Sequence, residues 1–127
     1  MKKYLKEVEK KLKVDRKENP FVVSVYNTKS IVLAVPVPIQ RKIAIKGFSF
    51  SGKDFIQLKK IWKFIWDNSN ILEVRSQSLY FYELKKQKTD FINYFPELRT
   101  FVDGLDNWAH SDTLSDLFSR LLEKDFE

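Results

Sequence analysis

Apolar residues recur along this chain mostly at helical intervals. Residues 2–14 place Leu5, Val8 and Leu12 on one face, which predicts a helix. Asn19-Pro20 punctuates the chain, and Pro20 fits a first helical position. Phe21–Tyr26 is β-branched, yet no second strong strand signal exists to pair with it, so a short helix is expected. Ile31–Val35 is apolar and fits either state. Pro36-Val37-Pro38 opens a helix over about 38–46, and Gly47 ends it.

Ser51 or Gly52 then starts a helix over about 53–68. It carries Phe55, Leu58, Trp62, Ile65 and Trp66 on one row and Ile56, Ile61 and Phe64 on a second. Two apolar rows predict a helix packed between layers. Asn70 fits the cap of a helix over about 71–86, with Leu72, Arg75, Leu79 and Tyr82 in one row. Asp90 starts a further helix that Pro96 breaks or kinks and Gly104 ends. Asp106 or Asn107 caps a last helix over about 108–124.

The expected fold is all-α, one domain over 1–127. Helix starts near 53 and 71, and near 90 and 108, make two pairs offset by about the HEAT period of roughly 40–47 residues or slightly less. An α-solenoid of HEAT-like antiparallel helix pairs fits this spacing, and so does a compact helical bundle. Periodicity alone does not choose between them.

Composition narrows the function classes. The 127 residues contain no cysteine and one histidine, His110, which excludes a disulfide framework, a thiolate zinc site and a multi-histidine metal centre. No apolar run reaches the roughly 18 residues that span a bilayer, and Met1 to Lys17 is too charged for a secretory signal. The expectation is a soluble cytoplasmic protein with no membrane partner and no cofactor.

Charge is unevenly distributed. Residues 1–70 hold 16 Lys and Arg against 6 Asp and Glu, whereas residues 71–127 hold 7 against 11. A basic half suits a polyanionic partner such as nucleic acid. An ordinary solvated lysine-rich surface fits equally, since Lys2, Lys3, Lys6, Lys10, Lys11 and Lys13 interleave with Glu7 and Glu9.

The last helix has the sharpest pattern. At about 100° per residue, Leu114, Leu117, Phe118, Leu121 and Leu122 form one narrow stripe. Trp108 falls well off that stripe and Asp112 nearly opposite its centre. They are four residues apart and therefore neighbours on the helix surface. A second packing partner would explain the pair, with Trp108 on the preceding helix and Asp112 on a lysine. A site would explain it too. His110 lies nearer the stripe, where a hydrogen-bonded, partly buried histidine with no chemical role is expected.

Three segments carry a family resemblance. Asp106-Asn107-Trp108-Ala109-His110-Ser111-Asp112-Thr113-Leu114-Ser115 resembles the "nW…D.ls" signature of the DNA alkylation repair family, the AlkD-like alkylpurine DNA glycosylases. Leu33-Ala34-Val35-Pro36-Val37-Pro38-Ile39-Gln40-Arg41-Lys42-Ile43-Ala44 resembles its "lGv..p.lR.la" segment. Ile71-Leu72-Glu73-Val74-Arg75-Ser76-Gln77-Ser78-Leu79 resembles its "hE.R..al" helix.

The resemblance implies a HEAT-like solenoid with a cationic concave face for alkylated duplex DNA. It implies hydrolysis of the N-glycosidic bond of cationic N3- or N7-alkylpurines, without metal or organic cofactor. The motif maps the catalytic roles onto Trp108 and Asp112, and Lys53, Lys59, Lys60 and Lys63 are candidates for holding phosphates. The family draws a second aromatic and an arginine from helices further along. The expectation is therefore a truncated or N-terminal portion of a longer solenoid, carrying half of such a site. The apolar stripe of the last helix then needs cover from earlier helices or from self-association. Two other functions suit the same chain: a non-catalytic helical-repeat nucleic-acid-binding module, or a protein–protein scaffold.

Overall fold

The computed structural model describes residues 1–17, 29–84, 95–105 and 108–126. The expected element at Phe21–Tyr26, the Asp90 helix start and the Asp106 or Asn107 cap lie outside the described residues. Every regular element within them is helical. In chain order these are α1 (Lys2–Lys13), α2 (Val37–Lys46), α3 (Phe55–Asn68), α4 (Leu72–Glu83), α5 (Phe95–Arg99), a 3-10 turn (Val102–Gly104) and α6 (Trp108–Phe126). No described helix is long and apolar enough to cross a membrane.

The helix boundaries follow local chemistry. Lys10, Lys11 and Lys13 occupy the last turn of α1, where cations favour the negative end of the helix dipole. Pro38 sits in the first turn of α2, where its missing N–H costs nothing. Gly47 ends α2 with φ +82°, a left-handed conformation that glycine adopts without a Cβ clash. The start of α3 differs from the expectation. Asp54 caps it, not Ser51 or Gly52, because the Asp54 carboxylate accepts the Gln57 N–H at 2.9 Å. Asn70 is not the cap residue of α4. That position is Ile71, in extended conformation.

Residues 31–35 lie against the start of α4, in non-helical conformation with Ala34 at φ +61°. Ile31 donates to Asn70 O at 2.7 Å, and Leu72 donates to Ile31 O at 2.8 Å, which makes an isolated parallel bridge between Ile31 and Ile71. Beyond that bridge the segment is held by the Lys17 N–H, which donates to Leu33 O at 3.0 Å, and by side chains of α4 and α2. The Glu73 carboxylate accepts from Leu33 and Val35, and Gln40 Nε2 donates to Val35 O at 2.7 Å.

Helix α4 is central. It packs against α1, α2, α3 and α6, and every residue from Leu72 to Tyr80 is buried. One apolar cluster joins Val8 and Leu12 of α1, Leu33, Phe50, and Trp62 and Ile65 of α3. A second joins Trp66, Leu79, Tyr82, Leu98, Phe101, Leu114 and Leu117. The leucine stripe of α6 therefore finds cover within the chain at its first two positions. Burial of Leu114 and Leu117 stabilises this packing by about 1.5–3 kcal/mol each. The two rows expected on α3 are buried unequally. Ile61 is buried and Phe64 half-buried, while Ile56 is exposed.

Candidate nucleic-acid interface

Helix α3 turns Leu58, Ile61, Trp62, Ile65 and Trp66 inward. Its helical period then carries Lys59, Lys60 and Lys63 outward on a common side. These three lysines rim a groove of about 420 Å³ whose other lining residues are Tyr82, Pro96, Thr100 and Phe101. Tyr82 and Phe101 are almost fully buried and form its apolar floor. Lys63 is held in place. Its Nζ donates to Asp67 Oδ1 at 2.8 Å and to Thr100 O at 3.1 Å, and it lies 5.3 Å from the Phe101 ring centre. Lys59 lies 5.9 Å from the Phe55 ring centre. Lys60 is exposed.

Lys53 is not part of this groove. It lies in the turn before α3, 6.0 Å from the Tyr4 ring centre. The four candidate lysines thus divide into a cluster of three and one outlier. Of the floor residues, Tyr82 stood on the expected apolar row of its helix, whereas Phe101 was missed, because Pro96–Gly104 read only as the broken end of a helix. The proline followed five residues later by an aromatic was the available signal.

Helix α6 is anchored by His110. This side chain is 1% exposed, so it is buried more completely than its sequence position implied. Its Nε2 lies 3.1 Å from Leu72 O and 2.8 Å from Ser76 Oγ. A carbonyl only accepts, so Nε2 carries the proton. Ser76 Oγ donates to the same carbonyl at 3.1 Å and accepts from the ring. The ring centre is 5.0 Å from that of Trp66.

Asp112 follows two residues after His110 and precedes Leu114 by two. Each step of two turns it about 200° away from those buried groups, and it is exposed. Trp108 begins α6, and its side chain lies outside the described residues. Asp112 is not among the residues that line the lysine groove.

Two motif residues turn out to organise backbone. Arg75 donates from Nε to Trp66 O at 3.1 Å and from Nη2 to Gly104 O, with its guanidinium carbon 4.0 Å from the Trp66 ring centre. Glu73 holds residues 33–35. Among the described residues, no group of three or more His, Asp or Glu is placed to hold a metal ion. The groove sets ammonium groups beside an apolar floor, an arrangement that could meet a polyanion. No protein-family model, no curated protein and no solved structure matches this chain.

Proposed function

We propose that this chain binds DNA and serves the repair of alkylated purines by N-glycosidic hydrolysis. The observation that carries this reading is the exposed Asp112 on α6, one turn after Trp108 and facing away from the Leu114 and Leu117 core. An exposed carboxylate on a helix held by a buried histidine is suited to electrostatic work. The lysine groove supports the DNA-binding part. Ala34 supports the resemblance further: it adopts φ +61° where the family pattern has glycine. The HEAT-like arrangement of helix pairs and a cytoplasmic location belong to the same proposal.

The chemistry needs little acid catalysis. An N3- or N7-alkylated purine is already cationic. When the C1′–N bond breaks, its electron pair goes to the base, which leaves neutral. Positive charge develops on the deoxyribose, and the Asp112 carboxylate stabilises it. Water oxygen then bonds to C1′, and one proton is released. The Trp108 indole would attract the cationic base by about 0.5–2 kcal/mol.

A second reading is favoured by the position of Asp112 outside the lysine groove. In it, the chain is a nucleic-acid-binding module without chemistry of its own. One experiment separates the two. The protein is incubated with duplex DNA carrying 7-methylguanine, and free base and bound DNA are both measured. Base release that falls about 100-fold or more in Asp112→Asn supports the repair reading. Salt-sensitive binding with no release leaves the second reading alone. Neither binding nor release overturns both.

A further inference from the structure

Acids and lysines are interleaved along the sequence of α1, yet the fold separates them. Glu7 is taken up by its neighbours. Its carboxylate accepts the Ser49 N–H at 2.7 Å and the Ser49 hydroxyl at 2.5 Å, and Lys11 Nζ lies 3.6 Å away. Lys11 also donates to Gly47 O at 3.1 Å and lies 4.9 Å from the Phe48 ring centre, so both members of that pair are committed to the turn after α2. Lys2, Lys6, Lys10 and Lys13 stand apart from it. They follow one another at intervals of three or four residues, which makes a single row on a helix. At about 100° per residue the row occupies an arc of about 80°, turned away from the fully buried Val8 and Leu12. All four lysines are exposed, and among the described residues none of them pairs with a carboxylate or a carbonyl. Of the two acids of α1, Glu9 alone lies beside the row, where it shares a shallow groove with Lys6, Lys10, Lys13 and Val14.

We infer that the outer face of α1 is a second interface for the phosphate backbone of nucleic acid, with Lys2, Lys6, Lys10 and Lys13 as its contacts. The row is about 16 Å long at about 1.5 Å per residue, the length of about five phosphates at about 3.4 Å per nucleotide of one strand. Ammonium groups without an internal partner meet phosphates without breaking any bond of the fold. A bilayer surface suits the row less. An interfacial helix binds lipid by burying its apolar face, and that face of α1 is already spent in the core by Val8 and Leu12. A protein partner needs an apolar centre to its interface, and the groove beside the row has only Val14 to offer. The inference rests on the DNA-binding part of the proposed function. It uses none of the lysines of the α3 groove and requires no base release.

The test is fluorescence anisotropy of a labelled duplex with the full chain, over about 50 to 200 mM salt. Lys6→Ala, Lys10→Ala and Lys13→Ala combined should reduce the slope of log affinity against log salt by about 2.7, at about 0.9 per contact. The three positions are exposed and alanine is the best helix former, so the variant keeps its fold. Lys10→Ala alone should reduce the slope by about 0.9. Lys42→Ala removes the same charge from an exposed position on α2 and should leave the slope unchanged. Glu9→Gln, which takes away the acid beside the row, should bind several-fold more tightly. An unchanged slope in the triple variant, or equal effects of Lys10→Ala and Lys42→Ala, refutes this interface while the groove's share, read from Lys60→Ala, stands on its own. Absence of DNA binding by the wild type overturns the inference together with the proposed function. Sedimentation with phosphatidylserine vesicles tests the other anionic surface. Vesicle binding that the triple variant loses, with its DNA binding intact, assigns the row to a membrane and overturns the nucleic-acid reading.

Discussion

Leu33 donates its backbone N–H to the Glu73 carboxylate at 3.0 Å across a separation of 40 residues, and Val35 donates to the second oxygen at 3.2 Å. Glu73 is 1% exposed, so these bonds satisfy a buried acid and two buried donors together. Glu73→Ala should cost about 2–4 kcal/mol, because both N–H groups lose their partner. Glu73→Gln retains one carbonyl acceptor and should cost less. Urea denaturation measures both. Equal stability of wild type and Glu73→Ala would contradict this role.

Ala34 lies between those two donors with φ +61°. An L-residue there pays about 1–2 kcal/mol for the contact of its Cβ with the backbone. Glycine relieves it but adds about 0.4–1 kcal/mol of unfolded-chain entropy. Ala34→Gly should therefore stabilise the protein by about 0.5–1 kcal/mol net, seen as a higher urea midpoint. A lower midpoint would mean that the buried methyl group packs better than its backbone strain costs.

The helices were legible because their apolar spacing is strong and Gly47 is an unambiguous stop. The ambiguity at residues 31–35 had a physical origin. Their partners are distant in sequence, among them the side chains of Glu73 and, for Val35, Gln40, which no local pattern announces. The sequence placed Arg75 in a row with Leu72, Leu79 and Tyr82, and that row is buried. What it could not show was that α4 is covered on every side, because Glu73, Ser76, Gln77 and Ser78 break the apolar pattern while being buried themselves. For the site, the outward direction of Asp112 followed from the stripe opposite it. The division of Lys53 from Lys59, Lys60 and Lys63 depended on where Tyr4 and Phe101 pack, which are long-range facts.

Gly104 is required by close approach. A Cβ placed on it would meet Trp66 Nε1 and lie 2.7 Å from Arg75 Nη2. Both groups are buried, and Arg75 is tied to Gly104 O. Arg75 cannot retreat without breaking that bond, and Trp66 is packed in the core. Gly104→Ala should destabilise the protein by about 1–3 kcal/mol. Thermal unfolding followed by tryptophan fluorescence should show a lower midpoint, and an unchanged one would show that the loop relaxes freely.

Glu7 gives the fold a defined acid response. Burial alone would raise its pKa, but hydrogen bonds from Ser49 Oγ at 2.5 Å and Ser49 N–H at 2.7 Å, with Lys11 at 3.6 Å, outweigh it and leave the carboxyl below its ordinary value. A lowered folded-state pKa stabilises the fold above the unfolded value, and that contribution fades as pH falls through the folded one. Wild type should therefore exceed Glu7→Gln in urea midpoint above about pH 5, with the gap closing toward pH 3. A gap that widened on acidification would reverse the assigned sign.

The lysine groove makes a graded prediction for DNA binding. Each phosphate contact contributes about 0.9 to the slope of log affinity against log salt. Lys60 is exposed and lines the groove, so Lys60→Ala should reduce the slope by about 0.9, and Lys59→Ala, half-buried on the same groove beside Phe55, by no more than that. Lys63 is already engaged by Asp67 and Thr100 O, so Lys63→Ala should reduce it by less. Lys53→Ala should leave the groove's contribution unchanged, because that side chain lies by Tyr4 instead. Fluorescence anisotropy of a labelled duplex between 50 and 200 mM salt measures all four variants. Equal losses at Lys53 and Lys60 would show that binding follows overall charge and not the groove beside Phe101.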